Sequence, residues 1–146
     1  MDFTTPVSTI MTRKLITVMP TDKLSAVKKI FDTTRIHHIP VVKYTTLVGL
    51  ISRVDLAQFM KVAGRLQHAP LIENGQLDQF TAEDVMTTKL ATLESTDRIN
   101  VAIEVFAENL FHAIPIVDDG ALVGMLTTLD VIKALKEEDT LRIISN

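Results

Sequence analysis

Short apolar runs and helix-spaced apolar positions alternate along the chain, and the series occurs twice. Leu15 to Val18 is rich in β-branched residues and reads as a short strand. Pro20-Thr21-Asp22 then starts a helix, in which Leu24, Val27, Ile30 and Phe31 recur at helical spacing and form one apolar stripe. Ile39 to Val42 is a second short strand. Lys43-Tyr44-Thr45-Thr46 turns the chain, Leu47 to Ile51 is a third strand, and Ser52 caps a helix from Arg53 to about Met60. Ahead of this series, Thr5-Pro6 opens a helical turn, with threonine as cap and proline at the first helical position. Val7, Ile10 and Met11 share the inner face of that turn. The second series predicts a strand at Leu90 to Leu93, a helix at Asp97 to Asn109 and a strand at Ile114 to Val117. A turn at Asp118-Asp119-Gly120, a strand at Leu122 to Leu126 and a helix at Thr128 to Lys136 complete it.

The two series are copies. Displacing the sequence by 75 residues puts Met11-Thr12 on Met86-Thr87, Lys14-Leu15 on Lys89-Leu90 and Thr21-Asp22 on Thr96-Asp97. It also puts Phe31 on Phe106, His37 on His112, Ile39-Pro40 on Ile114-Pro115, Leu47-Val48-Gly49 on Leu122-Val123-Gly124 and Asp55 on Asp130. One register holds without a gap from residue 8 to residue 60, which makes this an internal duplication. The fold class that follows is α/β, in the α+β sense, built from a duplicated β-α-β-β-α unit. The division expected is residues 1–62 for the first repeat, 63–80 for a connection, and 81–146 for the second repeat with a tail. Val62, Arg65 and Leu66 could extend the helix into the connection, whereas Pro70 and Glu73-Asn74-Gly75 break any regular pattern. In the tail, Leu141, Ile143 and Ile144 point to a short helix or strand packed on the module or on a partner chain.

Composition narrows the function. Apolar residues make up 47% of the 146 and charged residues 23%, ordinary values for a globular domain. The absence of cysteine excludes disulfides, thiolate metal sites and a cysteine nucleophile, and fits a reducing cytoplasm. The N-terminus has no signal-peptide pattern, and no apolar run approaches the roughly 20 residues of a membrane helix. A net charge of −3 with scattered cations makes nucleic acid a poor partner. No Gly-rich phosphate loop, nucleophile elbow or metal-ligand cluster is present, so the chain is not expected to be an enzyme. Asp22 and Asp97 read as helix caps and not as paired catalytic carboxylates.

The segment that can carry chemistry lies where the last strand of each copy meets its last helix. It reads Gly49-Leu50-Ile51-Ser52-Arg53-Val54-Asp55 and, in the copy, Gly124-Met125-Leu126-Thr127-Thr128-Leu129-Asp130, a pattern G-h-h-[ST]-x-x-D with h apolar. A hydroxyl followed three residues later by an acid is a capping box, and the glycine can be turn chemistry. The same geometry suits a nucleotide. Free amides and partial positive charge at a helix start attract phosphate, and a carboxylate one turn on can accept from a ribose diol.

The duplicated order, Val85-Met86-Thr87 opening a copy, His37-His38-Ile39-Pro40-Val41-Val42, and the G-h-h-[ST]-x-x-D segment together resemble a tandem CBS (cystathionine β-synthase) domain pair. The resemblance runs from about Val7 to Leu135. It implies a stand-alone pair with pseudo-twofold symmetry that binds an adenosyl ligand, AMP, ADP, ATP or S-adenosylmethionine, in clefts between the repeats. It further implies that Asp55 and Asp130 take ribose hydroxyls and that Ser52 and Thr127 sit near phosphate or ribose. Ile16-Thr17 and Ala91-Thr92 would line the base pocket through backbone groups, and His37-His38 and His112-Ala113 would flank the phosphate. No cofactor is required. The implied role is a regulatory nucleotide or energy-status sensor for an unidentified partner protein, as a homodimer. A ligand-free dimerisation module and an S-adenosylmethionine sensor are the alternatives.

The copies differ in charge. Copy one offers Arg35, His38 and Arg53, where copy two has Leu110, Ala113 and Thr128, so copy one is expected to dominate affinity for a phosphate-rich ligand. Arg13-Lys14 and Lys89 either flank a strand as solvated charges or reach a di- or triphosphate. The four histidines, His37, His38, His68 and His112, have no acid or cysteine at a metal-binding spacing, so no metal site is expected.

Overall fold

The computed structural model describes residues 1–108 and 111–145. Asn109, expected to end a helix, and Leu110, the counterpart of Arg35, lie outside them. The chain divides into two compact units. One is Ile16–Leu90; the other joins Met1–Leu15 to Ala91–Asn146. Each repeat thus gives up its opening segment to the unit built on the other repeat.

The unit Ile16–Leu90 contains α1 (Leu24–Thr33), β1 (His38–Lys43), β2 (Thr46–Ser52), α2 (Arg53–Leu66) and α3 (Asn74–Leu77). Leu24, Val27 and Phe31 of α1 pack against Ile39 and Val41 of β1, Ile51 of β2, Leu56 of α2, and Leu77. α1 starts at Leu24 because Asp22 does not cap it. The Asp22 carboxylate instead accepts from the Met19 amide at 2.8 Å, closing a turn ahead of the helix. At the far end the Thr33 and Thr34 hydroxyls donate back to the Lys29 and Ile30 carbonyls at 2.8 and 2.7 Å, and Thr34 is already extended. α2 runs past Met60 to Leu66, burying Ala63 and Gly64. Glu73-Asn74-Gly75, expected to break regular structure, opens α3, since Glu73 and Gln76 cap each other and Leu77 is fully buried.

The 81–87 segment completes this unit. The Ala82 amide donates to the Asp22 carbonyl at 2.9 Å, and Thr87 and Leu50 exchange backbone hydrogen bonds at 2.8 and 3.0 Å. The other unit repeats the arrangement with α4 (Ile99–Ala107), β3 (Ala113–Asp118), β4 (Ala121–Thr127) and α5 (Thr128–Ser145). Here the Val7 amide donates to the Asp97 carbonyl at 2.7 Å, and Thr12 pairs with Met125 at 2.8 and 2.9 Å. Asp97 likewise closes a turn, on the Glu94 amide at 2.8 Å, and does not cap α4. Val7 and Met11 pack with Ile99, Ile114, Ile116 and Leu126, so the inner face of the first turn serves the second repeat. The turn itself spans Val7–Thr9, with Pro6 at the cap position and no side-chain cap. The tail residues Leu141, Ile143 and Ile144 lie on α5 and are exposed.

Each hairpin is antiparallel, with a register shift at the same place, Val41/Val42 in β1 and Ile116/Val117 in β3. The leading strands expected at Leu15 to Val18 and Leu90 to Leu93 shrink to single parallel bridges, Val18 with Val41 and Leu93 with Ile116. Proline explains this. The Val18 amide donates to the Pro40 carbonyl at 3.1 Å and the Val42 amide to the Val18 carbonyl at 2.8 Å. The next rung toward the N-terminus needs an N–H on residue 40, which proline lacks. Pro115 stops the ladder at Leu93 in the same way.

Candidate ligand-binding site

The interrupted ladders place the candidate residues. Register aligns Ile16 with Ile39, one position from His38, which pairs with Ser52. Ile16, His38 and Ser52 therefore lie at one end of the hairpin, where α2 begins. Because Pro40 ends the ladder, the Ile16 carbonyl finds no donor on β1, and Thr17 faces away from that strand; among the described residues neither makes a backbone hydrogen bond, and both are exposed. Among the described residues Ala91 and Thr92 likewise make no backbone hydrogen bond, and they lie beside Pro115 at the end where Ala113 pairs with Thr127 and α5 starts. Each unit thus sets unpaired peptide groups near a helix N-terminus, and each holds the complete candidate set of one copy.

The helix start is a full capping box in both units. The Asp55 amide donates to the Ser52 hydroxyl at 3.0 Å and the Ser52 amide to the Asp55 Oδ2 at 3.1 Å. The Asp130 amide donates to the Thr127 hydroxyl at 3.1 Å, and the Thr127 amide to the Asp130 Oδ2 at 2.8 Å. One oxygen of each aspartate is therefore committed to the cap. What remains to accept from another donor is Oδ1 and the second lone pair of Oδ2. All four side chains are half-buried, within reach of a ligand.

The histidines enter through their backbone. The His37 carbonyl accepts from the Arg53 amide at 3.0 Å, and the His112 carbonyl from the Thr128 amide at 3.1 Å, tying each strand lead-in to the helix start. His37 and His112 are exposed, His38 is half-buried and Ala113 is buried. The Arg53 guanidinium serves the fold. Its Nε donates to the Ile36 carbonyl and its NH2 group to the Thr34 carbonyl, both at 2.7 Å, and it lies 5.1 Å over the Phe31 ring. Thr128, its counterpart, has no guanidinium to place.

Gly49 and Gly124 are not turn residues. Both lie inside strands, and the positive-φ glycine among the described residues is Gly120. A Cβ on Gly49 would come within 2.5–2.9 Å of the Met86 Sδ, Cγ and Cβ; one on Gly124 would come within 2.7 Å of the Met11 Sδ and 3.1 Å of the Thr12 carbonyl oxygen. The glycines admit the exchanged segments at close range. That segment also reaches the site: the Thr12 hydroxyl donates to the Asp130 Oδ1 at 3.2 Å. Sequence reading missed this role for Met11, Thr12 and Met86, although their identity across copies was a signal. No cluster of three or more metal-ligating side chains occurs among the described residues. Nor, among those residues, is any helix long and apolar enough to cross a membrane.

The CBS domain family model matches residues 7–62 and 82–137. The chain belongs to the CBS domain family. Its tandem CBS pair is 30% identical over 135 residues to inosine-5'-monophosphate dehydrogenase of Thermoplasma acidophilum, covering 92% of this chain and 24% of that enzyme. The chain spans only 24% to 48% of the first curated relatives it matches. Among solved structures it resembles CBSX2 in complex with AMP, with a TM-score of 0.76 and 24% identity, over 92% of this chain and 98% of that one. It also resembles the CBS domain pair of protein MJ0100 in complex with 5'-methylthioadenosine and S-adenosyl-L-methionine, with a TM-score of 0.73 and 23% identity, over 92% and 98%. At these identities the likeness to the two structures is one of fold.

Proposed function

We propose that this CBS pair is a non-catalytic regulatory module that binds an adenosyl ligand, AMP, ADP or ATP, and reports nucleotide or energy status to a partner protein. The observation that carries the reading is the unpaired backbone at Ile16-Thr17 and Ala91-Thr92, held at the same hairpin end as the Ser52-Asp55 and Thr127-Asp130 caps. Peptide donors and acceptors left by an interrupted ladder suit the edge of a purine. The carboxylates suit a ribose diol, and the helix N-termini suit a phosphate. His37-His38 and His112-Ala113 flank that end. Two CBS pairs of the same fold were solved with AMP and with S-adenosyl-L-methionine, which keeps an S-adenosylmethionine sensor as the second reading.

The module acts in the cytoplasm as a homodimer. Exposed Val54 on α2, and Leu129, Ile132 and Leu135 on α5, supply apolar surface for association. The ligand regulates only in so far as it binds one arrangement of the module better than another.

A thermal-shift screen with AMP, ATP and S-adenosylmethionine tests the reading. At one hundred times Kd, a ligand specific to the folded chain adds about 2.7 kcal/mol, or on the order of 5–10 °C in Tm for a domain of this size. Asp55→Ala and Asp130→Ala should each reduce the shift. Silence with all three ligands at millimolar concentration would leave a ligand-free interaction module.

A further inference from the structure

The two copies treat their aspartates differently. Asp130 accepts from the Thr127 amide on Oδ2 and from the Thr12 hydroxyl on Oδ1, so both oxygens are engaged. Asp55 accepts from the Ser52 amide on Oδ2, and among the described residues no threonine hydroxyl reaches it. Yet Thr87, the copy of Thr12, pairs with Leu50 just as Thr12 pairs with Met125. Backbone register is thus shared, and the side-chain bond is particular to the unit that contains Met1–Leu15. We propose that Thr12 is a latch on Asp130. A ribose diol at Asp130 displaces the Thr12 hydroxyl, so this site binds more weakly than the site at Asp55, and its occupancy is reported to the N-terminal segment. The proposal rests on the adenosyl reading above.

Removing the latch leaves the segment in place. Thr12 is exposed, its backbone pairs with Met125 on both sides, and Met11 stays seated against Gly124. Thr12→Val should therefore fold normally and isolate the hydroxyl. An exposed hydroxyl–carboxylate bond has a net value that corresponds to roughly fivefold in affinity.

The test is calorimetry with AMP, ATP and S-adenosylmethionine on the full chain. In an Asp55→Ala background, where the Asp130 site is read alone, Thr12→Val should tighten binding about fivefold and Thr12→Ser should not. In an Asp130→Ala background, Thr87→Val should change nothing. Coupling is reciprocal, so in the Asp55→Ala background ligand should slow amide exchange at Thr127 and Asp130 and produce a smaller rise at Met11 and Thr12, whose backbone bonds remain. Unchanged or weaker binding by Thr12→Val overturns the latch alone. Loss of all binding in Asp55→Ala also overturns it, because Asp130 then holds no ligand. An unmodified chain that takes up none of the three ligands overturns the adenosyl reading and the latch together.

Discussion

Arg53 is one of the three cations, with Arg35 and His38, expected from the sequence to favour a phosphate-rich ligand in the first repeat, and substituting it separates two accounts of its role. Its guanidinium donates at 2.7 Å to two carbonyls, Ile36 and Thr34, just after α1 ends. It also stacks on Phe31, a core residue. Hydrogen bonds from a charged donor contribute about 1.5 kcal/mol or more each when shielded, and the cation–π contact about 0.5–1 kcal/mol. Arg53 is half-buried, so solvent competes for part of this, and about 2 kcal/mol is a fair total for Arg53→Gln. With an m-value of about 2 kcal/mol per molar urea, the unfolding midpoint should fall by about 1 M. A lost phosphate contact would instead cost about 1.5–3 kcal/mol of binding, tenfold or more. Paired urea titration and calorimetry decide between them. The fold-holding role expects a large midpoint shift and less than a twofold change in affinity. A tenfold loss of affinity at unchanged stability would refute it and return Arg53 to the ligand.

Gly49→Ala should destabilise by about 1–3 kcal/mol in urea unfolding, because the new methyl meets the Met86 Cβ, which cannot move without its backbone. Gly124→Ala should cost less, since the nearest atom there is the flexible Met11 Sδ at 2.7 Å and the fixed Thr12 carbonyl oxygen stands off at 3.1 Å. Val7→Ala should destabilise by about 1–2 kcal/mol and raise amide exchange first in α4, β3 and β4 and only later in α1, because Val7 packs with Ile99 and Ile114. In the unit formed with Ala91–Asn146, the Asp118 carboxyl lies below its ordinary value of 3.8, chiefly through its hydrogen bonds from Ser95, whose amide donates at 2.8 Å. A folded value below the unfolded one stabilises fully above about 3.8 and is lost as pH falls through the folded value. Asp118→Asn should therefore flatten the acid limb of a stability–pH curve below that value, and an unchanged limb would show that Asp118 contributes nothing.

Most of the fold was legible because the duplication supplies each element twice. Turn residues, the α1 stripe and both capping boxes are local signals, and local signals survive in a sequence. Partner choice is not local. Val7, Ile10 and Met11 show an inner face, but nothing in their spacing says which repeat they face. The structure answers with the other repeat, through the Asp22 and Asp97 carbonyls that receive the Ala82 and Val7 amides. The shortened strands fail for a related reason. Leu15 to Val18 has strand composition, whereas the obstacle is Pro40, 22 residues beyond Val18 and across a ladder. The same proline that removes the strand leaves the Ile16 carbonyl without a donor, so the failed expectation and part of the candidate base contact have one cause.

The inequality of the two sites changes its basis in the same way. Counting cations favours the first repeat through Arg35, His38 and Arg53. Geometry engages two of the five Arg53 donors on Ile36 and Thr34, which leaves the remaining N–H groups for a phosphate and reduces the electrostatic case without removing it. It adds a term that counting cannot see, the Thr12 hydroxyl on Asp130. Both terms weaken binding in the unit built on the second repeat relative to a site with a free carboxylate oxygen, but they respond to different variables. A deficit in cations is screened by salt, whereas competition by a neutral hydroxyl is not. If affinity is flat between low and high salt at both sites, measured separately in Asp55→Ala and Asp130→Ala, and the Asp130 site stays the weaker, the latch sets the difference. A steep salt dependence confined to the Asp55 site would assign it to Arg35 and the histidines.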